Sequence, residues 1–401
     1  MENLEGKHIL IIVENLSVPF DRRVWNEATT LQKHGAKISV ICPKMKGFNK
    51  KYEVIEGIEI FRHPLLVEAR GKIAYFLEYS SALFWEFVLS LRIYLKSRFH
   101  VIHACNPPDL IFLIALPFKC FGVKFVFDHH DINPELYLAK YNKRGLFYKF
   151  LLWVERATFR FADFSIATNE SYKKIAVDRG KMDPNKVAVV RSGPDLKKFV
   201  KTPGNLIYKK GKKYLIGYLG VIGEQEGIDL LLYAIQNIIK DRNDIQFAII
   251  GGGPSLEIHK RKAHQLHLSE FVDFYGRVSD EMMIEIINTA DICVNPDKYS
   301  AMNDLSTMNK IMEYMALGKP IVQFDLKEGR VSALESSLYA KNNDPIDFAR
   351  CILHLIENEN LIKSMGEYGY QRVFQELSWA KEQEKLIRFY NYIFECFSHK
   401  K

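Results

Sequence analysis

At 401 residues the chain is long for one hydrophobic core, so two domains are expected. Its 48% hydrophobic and 26% charged residues are those of a globular soluble protein and exclude a disordered chain. A formal charge of +8 suits a phosphorylated ligand or an anionic membrane surface, while the even spread of basic residues argues against nucleic acid.

The six cysteines are scattered, mostly in apolar runs, and form no CxxC pair. Neither a zinc site nor a disulfide framework is expected, and buried thiols suit a reducing cytosol. The opening MENLEGKHILIIVEN has acids before a short apolar run and reads as a strand, with no signal peptide. No uncharged apolar run reaches transmembrane length; the longest, Ile73–Leu95, carries Glu78, Glu86 and Arg92. A cytoplasmic protein, with a place at the inner face of the plasma membrane, is expected.

Strand and helix patterns alternate through the first half. Apolar strands are expected at His8–Val13, Lys37–Cys42, Val101–Ala104, Lys124–Asp128, Phe164–Thr168 and Val187–Val190. Helical periodicity covers Arg22–His34, Ile73–Lys96, Leu110–Cys120, Leu146–Phe161 and Glu170–Arg179. The second half repeats the theme with strands at Tyr214–Leu219, Gln246–Ile250, Val272–Tyr275, Asp291–Asn295 and Pro320–Phe324. Continuous apolar strands separated by helices predict an α/β fold with parallel sheets covered on both faces. The domains are expected at 1–196 and 214–377, joined by a Gly-, Pro- and Lys-rich linker at 197–213. A final helix, 378–401, is expected to pack back on the first domain. Ligands of such doubly wound sheets bind at the carboxyl ends of the strands, here in a cleft between the domains.

The strand ends carry the polar residues. Asp21, Arg22 and Arg23 open the first helix, with Asp21 as an N-cap and the trio as substrate-recognition candidates. Asp109 is expected to cap the helix starting at Leu110. Asp128, His129, His130 and Asp131 end a central strand; adjacent side chains of a strand point oppositely, so one histidine faces the ligand. Adjacent histidines on an extended chain rarely share one metal, so none is expected. Further along, Gly217, Gly220, Gly223 and Gly227 form a glycine-rich turn, Gly251, Gly252 and Gly253 a second, and Gly276, Arg277 and Val278 a third. Backbone amides at such turns can meet a pyrophosphate, although no GxGxxG or Walker motif is present.

The stretch Asn303–Gln323 reads as a polar loop, a short helix and a buried strand. Lys310 and Glu313 share one helix face. A lysine in a first turn opposes the macrodipole unless an anion sits there, which makes the stretch a candidate dock for a phosphorylated sugar.

Together, PFDRRVWNEATTLQKHG, FDHHDINPE, VVRSGPDLKKF, IIGGGP, FYGRVSDEMM and KIMEYMALGKPIV resemble the GT-B glycosyltransferases of family GT4, over nearly the whole chain. The resemblance looks closest to members that build surface polysaccharides. It implies a retaining, metal-independent transfer with no cofactor, from a UDP- or GDP-linked sugar to a glycan or lipid-linked acceptor. The first domain would take the acceptor, through Asp21, Arg22, Arg23 and Asp131, and the second the donor. By the resemblance His130 lies near the donor sugar, Glu313 at the ribose, Arg277 and Val278 at the base, and Gly220 and Gly223 at the diphosphate, with Gly252 and Gly253 behind. The first glutamate of the paired-glutamate motif is replaced by Leu305, next to Asp304, and two usual cations by Val221 and Glu226. Lys310 is the expected replacement cation, helped by Ser306 and Thr307, with Arg330 as a second candidate. A sugar-nucleotide binder without activity and a GT-B-like epimerase or phosphorylase are the alternatives. The apolar helix Lys72–Lys96, with Phe76, Leu77, Phe84 and Trp85, is either packed on the sheet or partly inserted at a membrane surface.

Overall fold

The computed structural model describes residues 4–64 and 72–398. The chain divides into two compact units, Met1–Ser192 with Glu382–Lys401, and Gly193–Lys381.

The first unit is built on an eight-stranded sheet. Its strands are β1 (His8–Ile12), β2 (Lys37–Pro43), β3 (Tyr52–Ile55), β4 (Ile58–His63), β5 (Val101–Cys105), β6 (Lys124–His129), β7 (Phe164–Ala167) and β8 (Val187–Val189). Their spatial order is β3-β4-β2-β1-β5-β6-β7-β8, and every pairing except β3 with β4 is parallel. Strand β1, HILII, is buried at all five positions, as a parallel strand covered on both faces must be. The β3–β4 hairpin is not among the expected elements. Its turn residues Glu56 and Gly57 have φ of 50° and 81°, a pair of positive angles that closes a hairpin without the Asn-Gly signal.

The second unit holds six parallel strands: β9 (Tyr214–Leu219), β10 (Ile245–Ile250), β11 (Val272–Gly276), β12 (Ile292–Asn295), β13 (Ile321–Phe324) and β14 (Ser337–Ala340). The order β11-β10-β9-β12-β13-β14 reverses direction between β9 and β12. That reversal is where such sheets open a crevice for ligands. The helix Asn309–Ala316 joins β12 to β13 beside it, with Ile311, Met312, Tyr314 and Met315 buried.

Two local expectations are corrected. The polar stretch before this helix is itself a short helix, Ala301–Leu305, because Ser300 caps it by accepting from the Asn303 amide. Asp109 caps nothing: it begins a 3-10 turn and accepts from the Asn106 side chain at 2.7 Å, two prolines having fixed the entry.

The last helix, Trp379–Ser398, belongs to the first unit from Glu382 onward. Tyr390 is fully buried there, and its hydroxyl lies 2.7 Å from His103 Nδ1 on β5.

Candidate functional site

In the second unit the turn after β9 is laid directly on the turn after β10. The Gly220 amide donates to Ile250 O and the Ile222 amide to Gly252 O, both at 3.0 Å. A Cβ at Gly251 would stand 1.7 Å from Gly220 O, and one at Gly253 would stand 2.4 Å from Ile222 O. Only glycine permits that approach. Gly227, at φ 65°, then starts the helix Ile228–Ile238.

Lys310 comes to this turn from the other side. Its Nζ is 3.4 Å from where a Gly220 Cβ would be and 4.8 Å from the Tyr218 ring centre. It makes a 2.9 Å ion pair with Asp297 Oδ1, with the two side chains 10% and 2% exposed. Burial opposes the Lys310 charge, yet Asp297 outweighs it and holds the ammonium above its ordinary value. The anion that the first-turn lysine requires is therefore, in this structure, a protein carboxylate. Tyr314, on the same helix, accepts from the Leu219 amide at 2.7 Å and so ties the helix to the end of β9. Glu226 Oε2 accepts from the Gly223 amide at 3.1 Å. A carboxylate thus occupies one of the amides that the glycine turn would offer to a phosphate. Burial, then Asp297, pushes the Glu226 carboxyl upward.

The remaining donor-side candidates are distributed around these groups. Glu313 is half-buried one turn after Lys310. The Ser306 hydroxyl donates to Met302 O at 2.7 Å, which directs its proton back into the preceding helix, and Thr307 follows it before the next. Arg277 is exposed and Val278 half-buried just past β11. Arg330 is half exposed and paired with Asp325 at 2.7 Å, so it stands as a solvated ion pair. Asp297, Tyr218 and Tyr314 were not among the expected site residues. Asp297 follows β12 as NPD, a strand-end acid of the kind singled out elsewhere in the chain.

In the first unit, Asp21, Arg22 and Arg23 separate into three roles. Asp21 caps the helix Arg22–Lys33 by accepting from the Val24 amide at 3.1 Å. Arg22 is exposed. Arg23 is buried, pairing with Asp128 at 2.9 Å and Glu27 at 3.0 Å, and donating to Val190 O at 2.8 Å. It is a structural hub, not an exposed recognition group, because Asp128 and Glu27 share its guanidinium below the surface. Burial opposes the Asp128 charge, but Arg23 and His130 hold its carboxyl well below the usual range.

His129 and His130 face opposite ways, as strand geometry requires. His129 is fully buried against Phe127, Phe159 and Tyr172, and burial lowers it to about 3. His130 retains 17% side-chain exposure; its Nε2 meets Asp128 Oδ2 and lies 2.9 Å from Arg23 Nε. With Nε2 turned inward, Nδ1 is the ring atom left for a ligand. Asn106 Oδ1 accepts from the backbone amides of His130 (2.7 Å) and Asp131 (3.1 Å), fixing the strand end. Burial raises the Asp131 carboxyl.

Two triplets bring possible metal ligands within 4.8 Å of one another: His103, Cys105 and Asp128, and Glu27, Asp128 and His130. Both depend on Asp128, whose oxygens already serve Arg23, His103 and His130. A divalent ion there would face a buried guanidinium, so the donor set does not suit one.

Two family patterns match this chain: "Glycosyltransferase Family 4" over residues 21–198 and "Glycosyl transferases group 1" over residues 213–358. The chain belongs to the family 4 glycosyltransferases. It is 24% identical over 259 residues to an uncharacterised glycosyltransferase of Methanocaldococcus jannaschii, the match covering 63% of each chain. The chain thus spans less than two thirds of that curated relative's length. Among solved structures it resembles the sucrose-phosphate synthase of Thermosynechococcus elongatus (TM-score 0.81, 17% identity, 97% and 100% of the two chains). It also resembles Anabaena HepE in complex with UDP and glucose (TM-score 0.72, 14% identity, 98% and 100%). These likenesses establish the GT-B fold of this family 4 member.

Proposed function

We propose that the protein transfers a sugar from a nucleotide-sugar donor to an acceptor, with the donor diphosphate held between the Gly220–Gly223 turn and Lys310. The observation that carries this reading is the buried ammonium beside a glycine turn at the point where the sheet order reverses. An ammonium has three donors. One engages Asp297 Oδ1 and a second the Tyr218 hydroxyl at 3.5 Å, which leaves the third for a phosphate oxygen, so the cation is positioned before the ligand arrives. Family membership and the UDP bound by the HepE neighbour support a UDP-linked donor, with GDP as the alternative.

The reaction is proposed to be retaining and metal-independent, with no cofactor. Lys310 and the turn amides would neutralise the leaving diphosphate, whose oxygen would take the acceptor proton on the same face of the sugar. His130 would offer Nδ1 to a sugar hydroxyl, and Glu313 would accept from the ribose. The acceptor is proposed to be a glycan or a lipid-linked glycan in surface-polysaccharide synthesis, which would bring the protein to the inner face of the plasma membrane. Among the described residues no helix is long and apolar enough to cross a membrane.

A second reading, sugar-nucleotide binding without transfer, is favoured by one contact, the Glu226 carboxylate on the Gly223 amide. A thermal-shift screen with UDP and GDP tests the donor site, and incubation of UDP- and GDP-sugars with and without lipid-linked acceptor separates transfer, epimerisation and mere binding. Full turnover and unchanged UDP affinity in Lys310→Met would remove the lysine from the proposal. A wild-type transfer rate in His130→Ala would remove the histidine.

A further inference from the structure

The helix Leu146–Phe161 leaves its largest side chains in water. Phe147, Phe150 and Trp153 are 55%, 44% and 60% exposed, and Leu146 beside them is 85% exposed. The rings form one continuous ladder, with centroids 5.2 Å apart for Tyr137–Phe147, 6.1 Å for Phe147–Phe150 and 6.2 Å for Phe150–Trp153. Exposed apolar residues on a soluble surface are normally single, so a contiguous aromatic row asks for a partner.

Ring pairs that include the buried Phe112 and Phe118 tie the neighbouring helices together beneath this face. Phe112, at the start of the helix Phe112–Lys119, stacks on Phe161 at 5.2 Å, and Tyr94 of the helix Lys72–Lys96 meets Phe118 at 5.3 Å. On the latter helix Ala82, Glu86, Ser90 and Ile93 are buried, while Phe84, Leu91 and Leu95 remain exposed. Its side is therefore neither wholly packed nor wholly free; Phe76 and Leu77 lie outside the described side chains.

Charge distribution identifies the partner. Lys140, Lys143, Arg144, Lys149 and Arg156 are exposed around the ladder. The carboxylates of these segments are turned inward: Glu135 and Glu155 are buried on Arg179, and Glu86 is fully buried. From Tyr79 to Lys96, and throughout Phe112–Lys119 and Leu146–Phe161, no acid is exposed. Aromatic rings flanked by cations, with Glu86, Glu135 and Glu155 withdrawn, match the boundary between acyl chains and anionic headgroups.

We infer that this face of the first unit docks on an anionic lipid bilayer, with Phe147, Phe150 and Trp153 entering the interface and the surrounding lysines and arginines meeting the headgroups. The surface rests on its own geometry and not on the transfer reaction, and its rings lie on a different helix from the one that the sequence suggested.

Flotation of the full chain with phosphatidylglycerol–phosphatidylcholine vesicles tests it, against vesicles of phosphatidylcholine alone. The chain should float with the first and not the second. Phe147→Ser/Phe150→Ser/Trp153→Ser should lower the bound fraction about tenfold, and Lys143→Gln/Arg144→Gln/Lys149→Gln should remove the lipid preference. Should the triple ring variant misfold, tryptophan fluorescence replaces it: anionic vesicles should blue-shift the emission, and Trp153→Phe should abolish the shift. Failure to float, binding by the folded ring variant equal to wild type, or a wild-type dimer that the ring variant converts to monomer would each overturn the inference. UDP-induced thermal shift, read in the same samples, reports on the donor site separately.

Discussion

Lys310 and Asp297 form a nearly dehydrated ion pair, 2.9 Å long, in which the cation comes from a helix and the anion from the end of β12. Removing either charge strands the other in a low-dielectric site. Lys310→Met is expected to cost about 3 to 5 kcal/mol of stability, and Lys310→Met/Asp297→Asn much less than the sum of the single changes. Urea denaturation of the four proteins measures the coupling; additive losses would mean the pair is not an energetic unit.

Glu226 competes for the same place as a phosphate. Glu226→Gln keeps the shape, removes the charge, and is expected to tighten UDP binding by about tenfold, a gain of about 1.4 kcal/mol. Because burial, followed by Asp297, raises this carboxyl, lowering the pH neutralises it earlier than an ordinary glutamate. UDP affinity of the wild type should therefore rise as pH falls, and Glu226→Gln should flatten that dependence. Calorimetric titration at several pH values reads both; a glutamine variant that binds UDP more weakly would assign Glu226 a supporting role instead.

Arg23 holds Asp128 and Glu27 together below the surface. Arg23→Met leaves two buried acids without a counter-charge and is expected to lower stability by about 3 to 5 kcal/mol. Arg23→Lys keeps the charge and loses the forked geometry, so it should fall between. Thermal melts of the two variants set the order, and Arg22→Met, at an exposed neighbouring position, should match wild type within about 0.5 kcal/mol.

Glu86 is fully buried without a hydrogen-bond partner for either oxygen, and burial, then Glu14, lifts its carboxyl to about 8. A raised acid stays neutral in the fold while it ionises in the unfolded chain. Its cost is therefore absent below about pH 4.5, grows as pH rises, and levels off above about 8. Glu86→Gln should match wild type near pH 4.5 and exceed it by a few kcal/mol near pH 8. Equal melting temperatures at pH 8 would show that the group ionises without penalty.

The two parallel sheets were legible because their strands are continuous apolar runs; β1 and β9 carry their burial in their composition. The β3–β4 hairpin was not, since Glu-Gly is an unremarkable dipeptide until both residues adopt positive φ. The site divides in the same way. The glycines of the turn were visible from spacing, and Lys310 from its unfavourable position on the dipole. Asp297 and Tyr218 were hidden because their roles arise from long-range pairing, with 13 residues separating Asp297 from Lys310 and 92 separating Tyr218 from it. Arg23 looked like one of three similar charges, and only burial set it apart from Arg22.

The bond between Tyr390 and His103 joins residues 287 apart in sequence, and it closes the same cluster that holds Asp128 and His130. A ribosome therefore emits the whole second unit before it emits the piece that completes the first. The first unit's buried histidine network keeps one wall open through that interval, until Tyr390 arrives to close it.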